Sequence, residues 1–164
     1  MSPIWMIVTS ASAVVICGLV AGVFLAFSDF VMKSFSASTP VAGMECMQVI
    51  NRKVYRSLFL PMLLGMAAAS LALIAFGLLN PQVSGSSWII SAGMTYIIGV
   101  FIVTMVFNVP MNNRLETLEP NTKQASIYWP EYTRNWTRWN LVRTLASTAA
   151  MILFLIATIQ LAAN

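Results

Sequence analysis

The sequence predicts an all-α membrane protein, a bundle of four transmembrane helices, and three observations carry that prediction. All fourteen charged residues lie between Asp29 and Arg143. The stretches 1–28, 57–113 and 144–164 contain no Asp, Glu, Lys or Arg. Apolar residues make up 59% of the 164-residue chain and charged residues 9%. A soluble domain of this size spreads charge over its whole surface. A charge at the centre of a bilayer costs about 2.5–3.5 kcal/mol, so long charge-free stretches mark spans.

A span needs about 20 apolar residues. The first is predicted over Ile4–Phe30, the second over Leu58–Leu79, the third over Trp88–Val109 and the fourth over Trp139–Leu161. Together they make residues 1–164 one integral membrane domain, with no length left for a soluble catalytic domain. The first segment has no basic leader and no small-x-small cleavage site after it, so it is expected to be a retained span rather than a signal peptide. It carries Gly18, Gly22 and Ala26 on one face, a spacing that lets another helix approach closely. That neighbour is either the second span, through Gly65 and Ala69, or a second copy of the chain in a homo-oligomer.

Basic residues set the expected orientation. Lys33, Arg52, Lys53 and Arg56 fall between the first two spans, and Arg114, Lys123, Arg134, Arg138 and Arg143 between the third span and the start of the fourth. The 80–87 loop and both termini carry none. Positive charge stays inside. The chain is therefore expected to be a multi-pass protein of the cell inner membrane, with loops 31–57 and 110–138 cytoplasmic and both termini outside. Its partner is the lipid bilayer, and its net charge of +4 reports topology rather than nucleic-acid binding.

The connections have character of their own. Thr39-Pro40 offers a hydroxyl cap and a proline at the first helical position. Met44, Met47, Ile50 and Val54 follow at helical spacing opposite Glu45, Gln48 and Arg52. This predicts a short amphipathic cytoplasmic helix that lies on the inner membrane surface or closes the bundle. Pro61 is expected to kink the start of the second span. The last loop is rich in aromatics from Tyr128 to Trp139. On a helix, Trp129, Tyr132, Trp136, Trp139 and Arg143 are expected to share one face, either as an aromatic belt at the boundary or as the wall of a site for a planar ligand.

The chain has no histidine, which removes His-based haem, zinc, copper and di-iron sites and Ser–His or Cys–His catalytic pairs. The five carboxylates lack ligand spacing on any span, so no metal is expected. Cys17 lies inside the first span and Cys46 in the loop, too far apart to pair.

Polar residues gather at the charged ends of the spans: Ser28 and Asp29, Asn51 and Arg52, Asn108, Asn112 and Asn113, and Asn140 and Arg143. An ionisable group near hydrocarbon is a candidate functional residue with a partner to be found. For Asp29 the candidates are Arg143, Arg52 and Arg56. The stretch from Asn108 to Asn112, with Pro110 inside it, is expected to interrupt the helix at membrane depth, where protein or a cavity must shelter the backbone. The cluster reads equally as an ion-pair network closing the mouth of the bundle and as a binding pocket.

The strings Gly18-Leu-Val-Ala-Gly22-Val-Phe-Leu-Ala-Phe27-Ser28, Met47-Gln-Val-Ile-Asn51, Asn108-Val-Pro-Met-Asn112 and Trp136-Thr-Arg-Trp139-Asn140-Leu-Val-Arg143-Thr144 resemble the anthrone oxygenase-like family of small four-helix membrane proteins. The resemblance runs from about residue 15 to about residue 160. It implies oxidation of anthrones to anthraquinones with O2 as co-substrate and no cofactor, and it implies roles. Asp29 would be the base and Arg143 the stabiliser of the enolate or peroxide anion. Ser28, Asn51, Asn108, Asn112 and Asn140 would bind the substrate's oxygens, with Trp136 and Trp139 stacked on its rings. Many relatives have His between the Asn and Arg of the last motif, where this chain has Leu141. Three readings remain: a cofactor-free oxygenase on a hydrophobic planar molecule, a non-catalytic binder of a lipophilic ligand or partner subunit, and a small transporter.

Overall fold

The computed structural model describes residues 4–163. Among them are four helices long and apolar enough to cross a membrane: α1 (Ile4–Ala37), α3 (Phe59–Leu79), α4 (Ser86–Glu116) and α5 (Lys123–Ala162). A shorter helix, α2 (Pro40–Val54), joins the first two. The four spans match the charge map. Three of them run past the ends predicted from hydropathy, because their polar extensions stay helical beyond the apolar stretch.

The bundle is antiparallel, and its register can be read from hydrogen bonds. From α5 to α1, the Ser147 hydroxyl donates to the Cys17 carbonyl at 2.8 Å and the Asn140 amide to the Phe24 carbonyl at 2.6 Å. At the other end, the Ser10 hydroxyl of α1 donates to the Phe154 carbonyl at 3.1 Å. Tyr96 of α4 donates to the Leu63 carbonyl of α3 at 3.2 Å. Helices α4 and α5 approach closely at Gly99, where a methyl group would overlap the side chain of Ala146. Small residues thus set helix spacing, as in membrane bundles generally. The stripe on α1 acts differently from the sequence reading. Gly18 abuts Met151 of α5, whereas a methyl on Gly22, or on Gly65 of α3, would have no neighbour within 4 Å.

Helix α2 begins as predicted: the Thr39 hydroxyl accepts from the Ala42 amide, with Pro40 at the first helical position. Of the two placements left open, it takes the second and closes the bundle. Met44 and Met47 are buried with Met32, Leu115, Tyr128, Trp129, Tyr132 and Trp136 in an apolar cluster at the charged end. The Gln48 amide ties this helix to α4, donating to the Leu115 and Leu118 carbonyls at 2.9 Å each. Pro61 falls in the first turn of α3, where its missing N–H has no helical partner to lose, so no kink is required there.

The expected break around Pro110 is absent. Instead α4 runs through it, and its turns widen to π geometry over Ile97–Ile102 and Thr104–Asn108. Pro110 cannot donate, and wider turns re-satisfy the backbone upstream without opening it. Helix α1 widens in the same way over Phe27–Val31, the segment that holds Ser28 and Asp29. Such wide turns frequently sit at functional sites. Here two of the three, Phe27–Val31 and Thr104–Asn108, lie toward the charged end of the helices that flank α5.

Candidate functional site

The inward face of α5 organises the charged end. Trp129, Tyr132, Trp136, Asn140 and Arg143 are all buried. Steps of three and four residues along a 3.6-residue period put them in one line. Asn140 therefore takes the place that the sequence reading gave to Trp139, which lies one step round and half-buried. Its indole stacks on Phe107 of α4, centroids 3.5 Å apart and planes 6° apart. The other aromatic residues of the run turn into protein rather than toward a lipid boundary.

Three asparagines fasten these helices together. Oδ1 of Asn112 accepts from the Tyr132 hydroxyl at 2.9 Å and from Nε1 of Trp136 at 2.8 Å. Nδ2 of Asn140 donates to the Phe24 carbonyl and to the Ser28 hydroxyl at 2.7 Å, which joins α5 to the widened turn of α1. Nδ2 of Asn108 donates to the Trp136 carbonyl at 3.3 Å. Most of the amide groups that the resemblance would assign to substrate oxygens are thus engaged with the protein itself. Two atoms are not: Oδ1 of Asn108 and Nδ2 of Asn51 are buried without partners, the latter beside the Tyr132 hydroxyl.

Arg143 is the exceptional residue. Its side chain is 5% exposed. One terminal nitrogen donates to Oδ1 of Asn140 at 2.7 Å and the other to the Thr104 hydroxyl at 3.3 Å, while Nε has no partner. The guanidinium lies 4.2 Å from the Phe24 ring centre and 5.3 Å from that of Trp136. Among the described residues no carboxylate pairs with it. A buried charge normally needs a counterion or full hydrogen bonding to offset lost hydration. This cation has two neutral acceptors and two ring faces.

The ion pairs expected for Asp29 are replaced by another. Asp29 pairs with Lys33 one turn along α1 at 3.6 Å, and its side chain is 68% exposed. The widened turn keeps Ser28 pointing at Asn140 and leaves Asp29 on the outer side. Arg52, a second candidate partner, pairs with Glu116 instead. Structure therefore brings Ser28, Asn108, Asn112, Trp136, Asn140 and Arg143 together, with Asn51 at their edge, and leaves Asp29 outside. Leu141 is 47% exposed, on the outer face of α5 and away from the Arg143 cluster.

Beside this cluster a cleft of about 360 Å³ opens between α4 and α5. Phe107, Tyr128, Tyr132 and Trp139 supply its rings, Arg114 and Glu131 its charges. Arg114 lies over the Tyr128 ring at 4.0 Å. The stacked Phe107–Trp139 pair lines it, and Thr104 and Arg143, outside its lining, lie about one turn further along the same two helices. Sequence reasoning offered Tyr132 as part of an aromatic wall but missed Phe107, Tyr128 and Glu131 as lining residues. One signal was present: Glu131, Asn135 and Trp139 recur every fourth residue, a stripe that shows once Pro130 is allowed inside the helix.

A family model described as anthrone oxygenase matches residues 52–153. That segment contains Asn108, Asn112, Trp136, Asn140, Arg143 and every residue lining the cleft, and does not extend to α1. No curated protein and no solved structure matches the chain.

Proposed function

The chain belongs to the anthrone oxygenase family, and on that premise we propose that it is a membrane oxygenase oxidising a planar, phenolic, anthrone-like substrate with O2 and no cofactor. The charged end of the bundle, with its cleft, would face the cytoplasm, where the nine basic residues belong by the positive-inside rule. The single observation that carries this reading is Arg143, a buried guanidinium with no carboxylate and an unpartnered Nε.

The chemistry asks little of the protein. The benzylic CH2 of an anthrone is acidic because its conjugate base is an aromatic enolate. A base removes one proton, and the enolate gives one electron to O2. The radical and superoxide recombine into a carbon-bound peroxide, which takes up a proton. Loss of water, with the second benzylic hydrogen, leaves the quinone carbonyl. One oxygen atom of O2 ends in the product and the other in water. The rate depends on populating the enolate, and a fixed cation in a water-poor site favours it.

A cavity of about 360 Å³ falls at the small end of the range for ligand sites, suited to a fused tricyclic molecule. Glu131 is the carboxylate among the cleft's lining residues and takes the role of base in this reading. Asp29, exposed and paired with Lys33, is the alternative. The test is O2 uptake by the purified protein in detergent with a simple anthrone, compared with autoxidation of the same solution. Acceleration that falls about a hundredfold in Glu131→Gln is the expected result, within the usual range for a general base. Uptake equal to autoxidation for the wild-type protein would sink the oxygenase reading and leave a ligand-binding role.

A further inference from the structure

Three features around Trp139 are unexplained by its role as a lining residue. The first is the geometry of its stack. Aromatic pairs prefer offset or edge-to-face arrangements with centroids 4.5–7 Å apart, because a face-to-face sandwich sets like quadrupoles against each other. Phe107 and Trp139 form such a sandwich, at 3.5 Å and 6°. The second is free space next to the indole. Trp139 lines both the cleft of about 360 Å³ and a smaller one of about 250 Å³ shared with Asn135, Arg138 and Val142. The third is what lies behind the pair. Thr104 and Arg143, joined at 3.3 Å, occupy the next turns of α4 and α5, and Nε of Arg143 has no partner.

We propose that Phe107 and Trp139 form a slot that one planar aromatic ring of the substrate enters, moving the Trp139 indole into the space beside Val142 and bringing the ring's oxygen toward Arg143. The inference rests on the oxygenase reading for the identity of the ligand and adds its position and orientation. The closed pair is a poor stack, and an inserted ring exchanges it for two ring faces in contact. Phe107 is held within the widened turn of α4 over Thr104–Asn108, and it is the fixed wall. Trp139, half-buried and lining both clefts, is the movable one. Aliphatic ligands of the same volume gain nothing from the slot, so it selects for flat rings. It also separates Arg143 from the open cleft until a ring is seated, which keeps water from the cation in the empty state.

The test uses two readouts on the full-length protein in detergent. The first is the KM and kcat of anthrone-dependent O2 uptake. The second is quenching of tryptophan fluorescence by 1,8-dihydroxyanthraquinone, a planar phenolic quinone. Phe107→Leu and Trp139→Leu each remove one ring face, and Trp139→Phe retains one. With a stacking pair worth about 0.5–1.5 kcal/mol, each Leu variant is expected to raise KM about two- to thirteenfold, with a smaller change in kcat. Each Leu variant should weaken quinone binding by the same factor, and Trp139→Phe should restore most of it. Circular dichroism and thermal midpoints establish that the variants fold. Unchanged KM and unchanged quinone affinity in both Leu variants, with wild-type turnover intact, would overturn the slot while leaving the oxygenase reading in place. A wild-type protein without turnover, whose quinone binding still weakens on Phe107→Leu, would overturn the oxygenase reading and retain the slot.

Discussion

The two ends of this bundle treat buried polar groups differently. Through the apolar half, buried hydroxyls are matched to backbone carbonyls of a neighbouring helix: Ser10 to Phe154, Ser147 to Cys17 and Tyr96 to Leu63. Ser70 is the exception, its hydroxyl buried without a partner. At the charged end, Asn51, Asn108 and Arg143 each keep a buried polar atom unmatched, and one of these belongs to a cation. The comparison teaches where to look for function. Lipid supplies no water to an open polar group, so the spans close their hydrogen bonds internally. On the proposed function, the group left open and charged in the same molecule is the one that a ligand completes.

Substitutions at the two ends should separate accordingly, and the largest effect belongs to Arg143. Arg143→Met is expected to lower anthrone-dependent O2 uptake about a hundredfold or more, the usual loss when a donor to a developing oxyanion is removed. Asn112→Ala comes next, but on stability. It strips the acceptor from both the Tyr132 hydroxyl and the Trp136 indole, at about 1–3 kcal/mol for each group left bare. The expected result is a thermal or denaturant-detected loss of about 2–5 kcal/mol. Ser147→Ala, in the apolar half, removes one interhelical hydrogen bond and should lower stability by only about 0.6 kcal/mol, with uptake unchanged. Asp29→Asn is expected to do least. It breaks an exposed pair worth about 0–1 kcal/mol and touches nothing in the cleft, so both readouts should stay near wild type. A hundredfold loss of uptake in Asp29→Asn would move the base from Glu131 to Asp29.

Much of the fold was legible because membrane burial writes itself into composition. Charge-free stretches located four spans, and Thr39-Pro40 located the start of α2. The site was legible only in part. Arg143 and Asn140 stood out as polar groups at the edge of a span, a signal of residue type alone. Asp29 gave the same signal, yet whether it turns inward depends on the extra residue in the π turn over Phe27–Val31, which no spacing rule reveals. The placement of Trp139 failed for a related reason. A face assigned from one helical wheel absorbs Trp136, Trp139 and Arg143, while packing selects Trp136, Asn140 and Arg143. Continuity through Pro110 was hidden because proline reads as a break, and wide turns upstream remove the need for one.

The most direct test of the central claim, that Arg143 is held open for an anionic ligand rather than for the fold, is a paired measurement on Arg143→Met. O2 uptake with a simple anthrone and the thermal midpoint are read from the same detergent sample. Removing a buried, carboxylate-free cation relieves its desolvation, which offsets the loss of its bonds to Asn140 and Thr104. The account predicts uptake at the autoxidation rate with a midpoint equal to or above wild type. Wild-type uptake, or a loss of uptake that comes only with a large fall in the midpoint, would contradict it and make Arg143 a structural staple.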